Sequence, residues 1–219
     1  MPGPLHVHVV IDALGWGGAE TLLADFVSGA RTAQLHVSVS YLASRDGDPA
    51  ADRLVRRGVE PQLLAIGGLL QPASERIVRA HIAALAPDLV HAHLDYADFF
   101  VGRAARRLGL PAVSTLHTMH APSGVRARLK DQLVSTVRRR DMDVVIAVSE
   151  RAREAAVAAR WATPAQLVTV HNGVVGRPCP GAGQPLRAEL GIAPSAPVVA
   201  MLTVLRPGKG HGALLAAWP

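Results

Sequence analysis

Residues 89–117 read LVHAHLDYADFFVGRAARRLGLPAVSTLH. A short apolar run, Leu89–His93, precedes a helix-like stretch, Ala97–Leu108, and a second apolar run, Ala112–His117, follows. Gly109 and Pro111 lie between the helix and the second run, as glycine past a helix end and proline beyond it usually do. Strand, helix and strand in about thirty residues is the pattern of a parallel βαβ unit with a right-handed crossover. The apolar runs are continuous rather than alternating, which suits strands covered on both faces.

The same alternation extends in both directions. Further strands are predicted at His6–Ile11, His36–Leu42, Val144–Val148, Leu167–His171 and Val198–Leu205. Helices are predicted at Glu20–Gly29, Ala50–Arg57, Ala73–Leu85, Val125–Arg140 and Arg151–Arg160. The fold class expected is α/β: a Rossmann-like, doubly wound, mainly parallel sheet. Composition shifts at 176–197, where five of the sixteen prolines fall together with four glycines. That stretch reads as a linker carrying one helical turn around Leu186–Leu190. The organisation expected is a domain at 1–175, a linker at 176–197, and at 198–219 the first βα unit of a second domain, which a strand and two helical turns cannot complete alone.

Composition narrows the function classes. The chain has 219 residues, 49% of them hydrophobic, which excludes a disordered segment. Lys+Arg exceed Asp+Glu by 23 to 17, a net charge of +6, but only Lys130 and Lys209 are lysines. Only 4% of residues are aromatic and none is interleaved with the basic stretch, so nucleic acid is not expected as a partner. One cysteine, Cys179, excludes an internal disulfide framework and a cysteine-based zinc site. The N-terminus lacks a basic region followed by a secretory apolar stretch, and the longest apolar run is too short to span a bilayer. A cytoplasmic location is expected.

Ligands of doubly wound sheets sit beyond the carboxyl ends of the strands. The first strand leads into Gly15-Trp16-Gly17-Gly18-Ala19-Glu20, a flexible turn before a helix whose free N–H groups suit a phosphate. A ligand-free turn is the alternative. The dinucleotide pattern GxGxxG fails at Glu20, although Ser44 and Arg45 after the second strand leave an NADP site open. His91 and His93 share one face of a strand and could chelate a metal, with His117 at the next strand end. Hydrogen-bonded histidines at the sheet rim are the competing reading, and for His117 a contact with substrate is another. Ser149 reads as a helix N-cap, and His171-Asn172-Gly173-Val174 as a tight turn. Arg206-Pro207-Gly208-Lys209-Gly210 opens a helix with two cations and reads as an anion clamp.

Val125–Arg140 has apolar residues at 125, 129, 133, 134 and 137, one helical stripe, with Arg126, Arg128, Lys130, Arg138, Arg139 and Arg140 filling the rest. It reads as a sheet-covering helix with a solvated basic face, or as a peripheral contact with the inner face of an anionic membrane.

The ordered set GGAE (17–20), DLVHAH (88–93), VSTLH (113–117), VIAVSE (145–150), VTVHNGV (168–174) and LRPGKGH (205–211) resembles the retaining glycosyltransferases of GT-B fold, family 4 (glycosyl transferases group 1). The resemblance implies transfer of a sugar, of hexosyltransferase type, from a nucleotide-diphosphate sugar to an acceptor, with retention and without metal or other cofactor. It implies that Gly17 and Gly18 lie near the donor diphosphate, that His117 contacts the transferred sugar, and that Lys209 holds the donor phosphates. The family's arginine stands five residues before that lysine, where this sequence has Val204; Arg206 is the candidate to replace it. The family's E-x7-E pair has no counterpart here, so weak donor binding and poor turnover are expected of this chain alone. A lipid or cell-envelope glycan would be an acceptor consistent with a membrane-facing 125–140. Two other classes stay open: a Rossmann-like module that binds a nucleotide or sugar phosphate without chemistry, and a metal hydrolase using His91, His93 and His117.

Overall fold

The computed structural model describes residues 3–117, 123–174, 176, 179–203, 205 and 208–218. In chain order the elements are β1 (Leu5–Ile11), α1 (Gly18–Ala30), β2 (Leu35–Tyr41), α2 (Pro49–Val55), β3 (Gln62–Leu63), α3 (Pro72–Leu85), β4 (Leu89–His93), α4 (Asp95–Leu108), β5 (Ala112–Leu116), α5 (Val125–Asp141), β6 (Val144–Ala147), α6 (Glu150–Ala158), β7 (Leu167–Thr169), α7 (Gly183–Glu189) and α8 (His211–Ala217). The chain divides into two compact units, residues 1–175 and 176–219.

The first unit holds one seven-stranded sheet of order β3-β2-β1-β4-β5-β6-β7. Every pairing is parallel. This is the doubly wound arrangement expected, with its crossover reversal between β1 and β4. Side chains of alternate residues serve opposite faces. On β1, Val7, Val9 and Ile11 join Leu23, Val27 and Leu54 of α1 and α2 in one core cluster. Val10 turns the other way and packs with Val78 and Ile82 of α3. Phe100 and Ala104 of α4, with Val134 and Val137 of α5, extend that second layer.

Local chemistry explains the helix limits. Helix α4 ends where Gly109 takes φ 69°, the left-handed conformation glycine adopts without strain. Helix α6 is capped by Ser149, whose Oγ accepts from the Ala152 N–H at 3.1 Å, as expected.

Two expectations need correction, and one strand was not predicted. Residues 198–203 and 205, although apolar, form no strand; the second unit has no other strand among its described residues to supply a ladder partner. β3 escapes sequence reading because it is only two residues long and is defined by pairing with Ser40 and Tyr41. The predicted strand Leu167–His171 stops at Thr169, where the ladder with β6 ends.

Helix α5 also departs from a uniformly solvated basic face. Arg138 is buried, with Nε 2.6 Å from Asp98 Oδ2 and Nη2 2.8 Å from Asp95 Oδ1. Arg140 pairs with Asp141, Lys130 with Asp95, and Arg139 donates to the Arg160 carbonyl. Exposed apolar surface is confined to the first turns, where Val125 is 82% and Leu129 55% exposed. Among the described residues, Arg126 and Arg128 beside them have no ion-pair partner. Among the described residues, no helix is long and apolar enough to cross a membrane.

Candidate functional site

Because every strand is parallel, the loops leaving their carboxyl ends gather at one rim of the sheet. The turn after β1, carrying Gly17 and Gly18, and His117, directly after β5, therefore lie at the same rim. The register pairs Ile11 with His93 and His93 with Thr115, so β1, β4 and β5 end nearly level.

Gly17 is the N-cap of α1 and Gly18 its first residue. Their roles differ sterically. A Cβ added at Gly17 would collide with the Glu20 carboxylate, which folds back over the start of the helix, whereas Gly18 faces open space. The helix N-terminus thus already has an acidic neighbour, which stabilises its dipole. A diphosphate there would meet or displace Glu20.

Asp12 directly follows β1. In the fold it caps α4: Oδ1 accepts from the Ala97 N–H at 2.7 Å and Oδ2 from the Tyr96 N–H at 3.3 Å. Burial pushes its pKa up to about 7, against the opposing pull of those two N–H bonds. Between His93 and Asp95, Leu94 takes φ 76°, ψ 170°, a conformation that costs a non-glycine residue roughly 1–3 kcal/mol. This strain sits at the crossover reversal.

His117 joins a row of imidazoles on the α1 face of the sheet. His93 Nδ1 lies 2.7 Å from His117 Nε2, and His91 Nε2 lies 2.8 Å from Thr115 Oγ1. Phe26 of α1 meets His91 edge-on, with ring centroids 6.2 Å apart. Burial lowers the pKa of His91 and of His117 to about 4, and His93 falls well below its ordinary value. The row is neutral at physiological pH. Its ring nitrogens contact one another and a threonine hydroxyl, and among the described residues no group of three or more His, Cys, Asp or Glu could hold a metal ion.

His117 borders two cavities. An open cavity of about 630 Å³ has Leu22 and Phe26 on one side and His91, His93, His117 and Val170 on the other. A smaller, polar one of about 150 Å³ is lined by Asp12, Asp95, Thr115, His117 and Arg138. One imidazole thus stands between an apolar and a charged compartment. Lys209 belongs to the second unit, half-buried before α8, with Gly208 at φ 85° and Gly210 at φ 88° around it. Arg206 lies outside the described residues.

The family model described as Glycosyltransferase Family 4 matches residues 16–175, well over half of the chain. No curated protein is similar enough to match. Among solved structures, Anabaena HepE in complex with UDP superposes with a TM-score of 0.69 and 19% identity, covering 85% of this chain and 50% of that one. A glycosyltransferase from Rickettsia africae gives a TM-score of 0.70 and 12% identity over 96% of this chain and 56% of that one. UDP-GlcNAc 2-epimerase from Neisseria meningitidis, bound to UDP-GlcNAc, gives 0.57 and 15% over 77% and 47%. At these identities the likeness is one of fold. The chain spans about half the length of the solved structures it matches.

Proposed function

Because the chain belongs to glycosyltransferase family 4, we propose that it supplies the acceptor-side half of a retaining enzyme that moves a hexose from a nucleotide-diphosphate sugar to an acceptor. One observation carries the reading: the glycine turn before α1 and His117 share the rim of a single parallel sheet, flanking the reversal between β1 and β4. Residues 176–197 are the connector and 198–219 the start of the donor-binding half in this reading.

The chemistry asks for charge at one end and neutrality at the other. As the sugar leaves its diphosphate, the ring gains oxocarbenium character and the leaving group gains negative charge. Lys209, with Arg206, would hold that charge, and main-chain N–H groups at Gly17 and Gly18 would add to it. His117 stays uncharged, since burial lowers its pKa to about 4. A neutral imidazole can bond a sugar hydroxyl without repelling a developing cation. No metal is required, because cations and backbone donors replace it. Holding donor and acceptor in one cleft accounts for much of the remaining acceleration.

Ligand-observed NMR, which reads weak binding, tests this with UDP, UDP-glucose and guanosine-diphosphate sugars. At least one sugar nucleotide should bind saturably. Lys209→Ala should weaken nucleotide and sugar nucleotide alike, by about tenfold for a loss of 1.4 kcal/mol. His117→Ala should weaken only the sugar nucleotide. Absence of binding by every nucleotide diphosphate would overturn the reading.

The acceptor in this reading is a lipid or cell-envelope glycan, reached by a peripheral contact at the inner membrane face. Exposed Val125 and Leu129, one helical turn apart beside Arg126 and Arg128, support that contact. Co-sedimentation with vesicles containing anionic lipid should be salt-sensitive and should fall on Leu129→Asp; indifference to lipid charge would remove it.

A further inference from the structure

We infer that His93 is a positioning residue that fixes which ring nitrogen of His117 carries the proton, leaving His117 to offer an Nδ1–H donor at the rim. The importance of that donor rests on reading His117 as the sugar-contacting residue; the assignment of His93 does not.

The sheet register creates the contact. His93 ends β4 and stands opposite Thr115 of β5, so His117 is its diagonal neighbour on the same face. The two rings lie within 23° of parallel, with centroids 5.0 Å apart, and Nδ1 of His93 is 2.7 Å from Nε2 of His117. His91, two residues earlier, makes the same diagonal to Thr115, and its ring centroid is 4.3 Å from that of His93. His93 is thus sandwiched between two imidazoles and cannot turn freely to another partner.

A neutral imidazole has one donor nitrogen and one acceptor nitrogen. The other nitrogen of His93, Nε2, is buried and has no hydrogen-bond partner among the described residues. Only two proton arrangements fit. In the first, His93 carries its proton on Nδ1 and donates to His117 Nε2, leaving a bare lone pair on the buried Nε2. In the second, His117 donates from Nε2, and His93 must hold an N–H at Nε2 with no acceptor. Buried N–H groups without acceptors are rarer than under-used acceptors. The first arrangement follows.

His117 then keeps its single proton on Nδ1, the reverse of the preference of free histidine for the Nε2–H form. Its accepting nitrogen is committed to His93. The edge left for a ligand donates and has no lone pair to accept a proton. His117 in this state bonds an oxygen of the sugar; it is not a general base.

Long-range ¹H–¹⁵N correlation spectra of the ¹⁵N-labelled chain at neutral pH read the tautomer of each histidine directly. The expected result is a protonated Nδ1 and a bare Nε2 on His117. In His93→Asn the side-chain amide nitrogen stands near the position of Nδ1 and should preserve that form. In His93→Asp a carboxylate oxygen near the position of Nδ1 can only accept, and His117 should then carry a proton on Nε2. A protonated Nε2 in the unsubstituted chain, or a bare Nε2 on His117 in His93→Asp, would overturn the inference. Should His93→Asp fail to fold, loss of the Nδ1–H form in His93→Asn would overturn it instead. Titration with UDP-glucose and the other sugar nucleotides separates the two ideas. An Nδ1–H tautomer whose resonances no sugar nucleotide perturbs sinks the sugar contact and leaves the role of His93 standing.

Discussion

Strands β1 and β4 carry the same signature, His6-Val7-His8 and His91-Ala92-His93, yet the fold uses them differently. His6 and His8 face α3. His6 Nε2 and His8 Nδ1 each lie 2.8 Å from Ser38 Oγ, and Ser40 Oγ lies 2.8 Å from His81 Nε2. His91 and His93 face α1, on the opposite side of the sheet, and lead to His117. Burial lowers the pKa in both sets, to about 3 at His8 and about 4 at His91. A depressed imidazole therefore does not by itself mark a site. What differs is the distance to the rim. His93 is the last residue of β4, whereas His8 lies within β1 beneath a helix.

The largest effect expected is common to both sets and comes from acid. The unfolded chain binds protons near pH 6.5, whereas the folded chain keeps His8, His91, His93 and His117 neutral to lower pH. Stability is complete above about pH 6.5 and is lost as the pH falls toward 4. Asp12 and Asp98, raised by burial to about 7 and about 6, work in the opposite direction but are two groups against four. Melting temperatures taken across this range should fall steadily; a flat or rising profile would contradict the burial of these rings.

Substitution then separates the sets. His8→Ala opens a cavity under α3 and should cost about 3 kcal/mol, or roughly 6–12 °C in Tm, while the folded fraction binds sugar nucleotide as before. His117→Ala takes the acceptor from the buried His93 Nδ1–H and should cost about 1–3 kcal/mol, but unlike His8→Ala it should also lose sugar-nucleotide affinity in the folded fraction. If both variants lose only stability, the distinction between the sets fails. The smallest effects concern the hydroxyl partners. Ser38→Ala leaves two imidazoles without their shared partner and should cost more than Thr115→Val, which frees one, each by about 1–2 kcal/mol in urea denaturation. Equal losses would mean that the two networks are equally closed.

Much of the scaffold was legible because its signals are local. Apolar runs the length of a strand, and Gly109 after Leu108, mark β4, α4 and β5 without any neighbour. The site was legible in part. His117, Gly17 and Gly18 could be singled out by standing at strand ends, but the His-x-His of β1 is as conspicuous as that of β4. Asp12 was hidden because the N–H groups it caps belong to Tyr96 and Ala97, more than eighty residues away. Arg138 reads as one more cation on a basic helix until Asp95 and Asp98 of α4 close around it. Residues 198–203 and 205 show the converse, since apolar composition makes a strand only where a ladder partner exists.

By itself the amino-acid sequence determined the alternation of strands and helices, and through it a parallel sheet whose loops collect at one rim. Those properties follow from side-chain periodicity and from the geometry of crossovers, both short-range. Tertiary structure alone decided which histidine row reaches that rim, which nitrogen of His93 meets His117, and which carboxylate caps α4. Each of these depends on strand register and on the face a neighbouring helix covers, and such contacts join residues far apart in the chain.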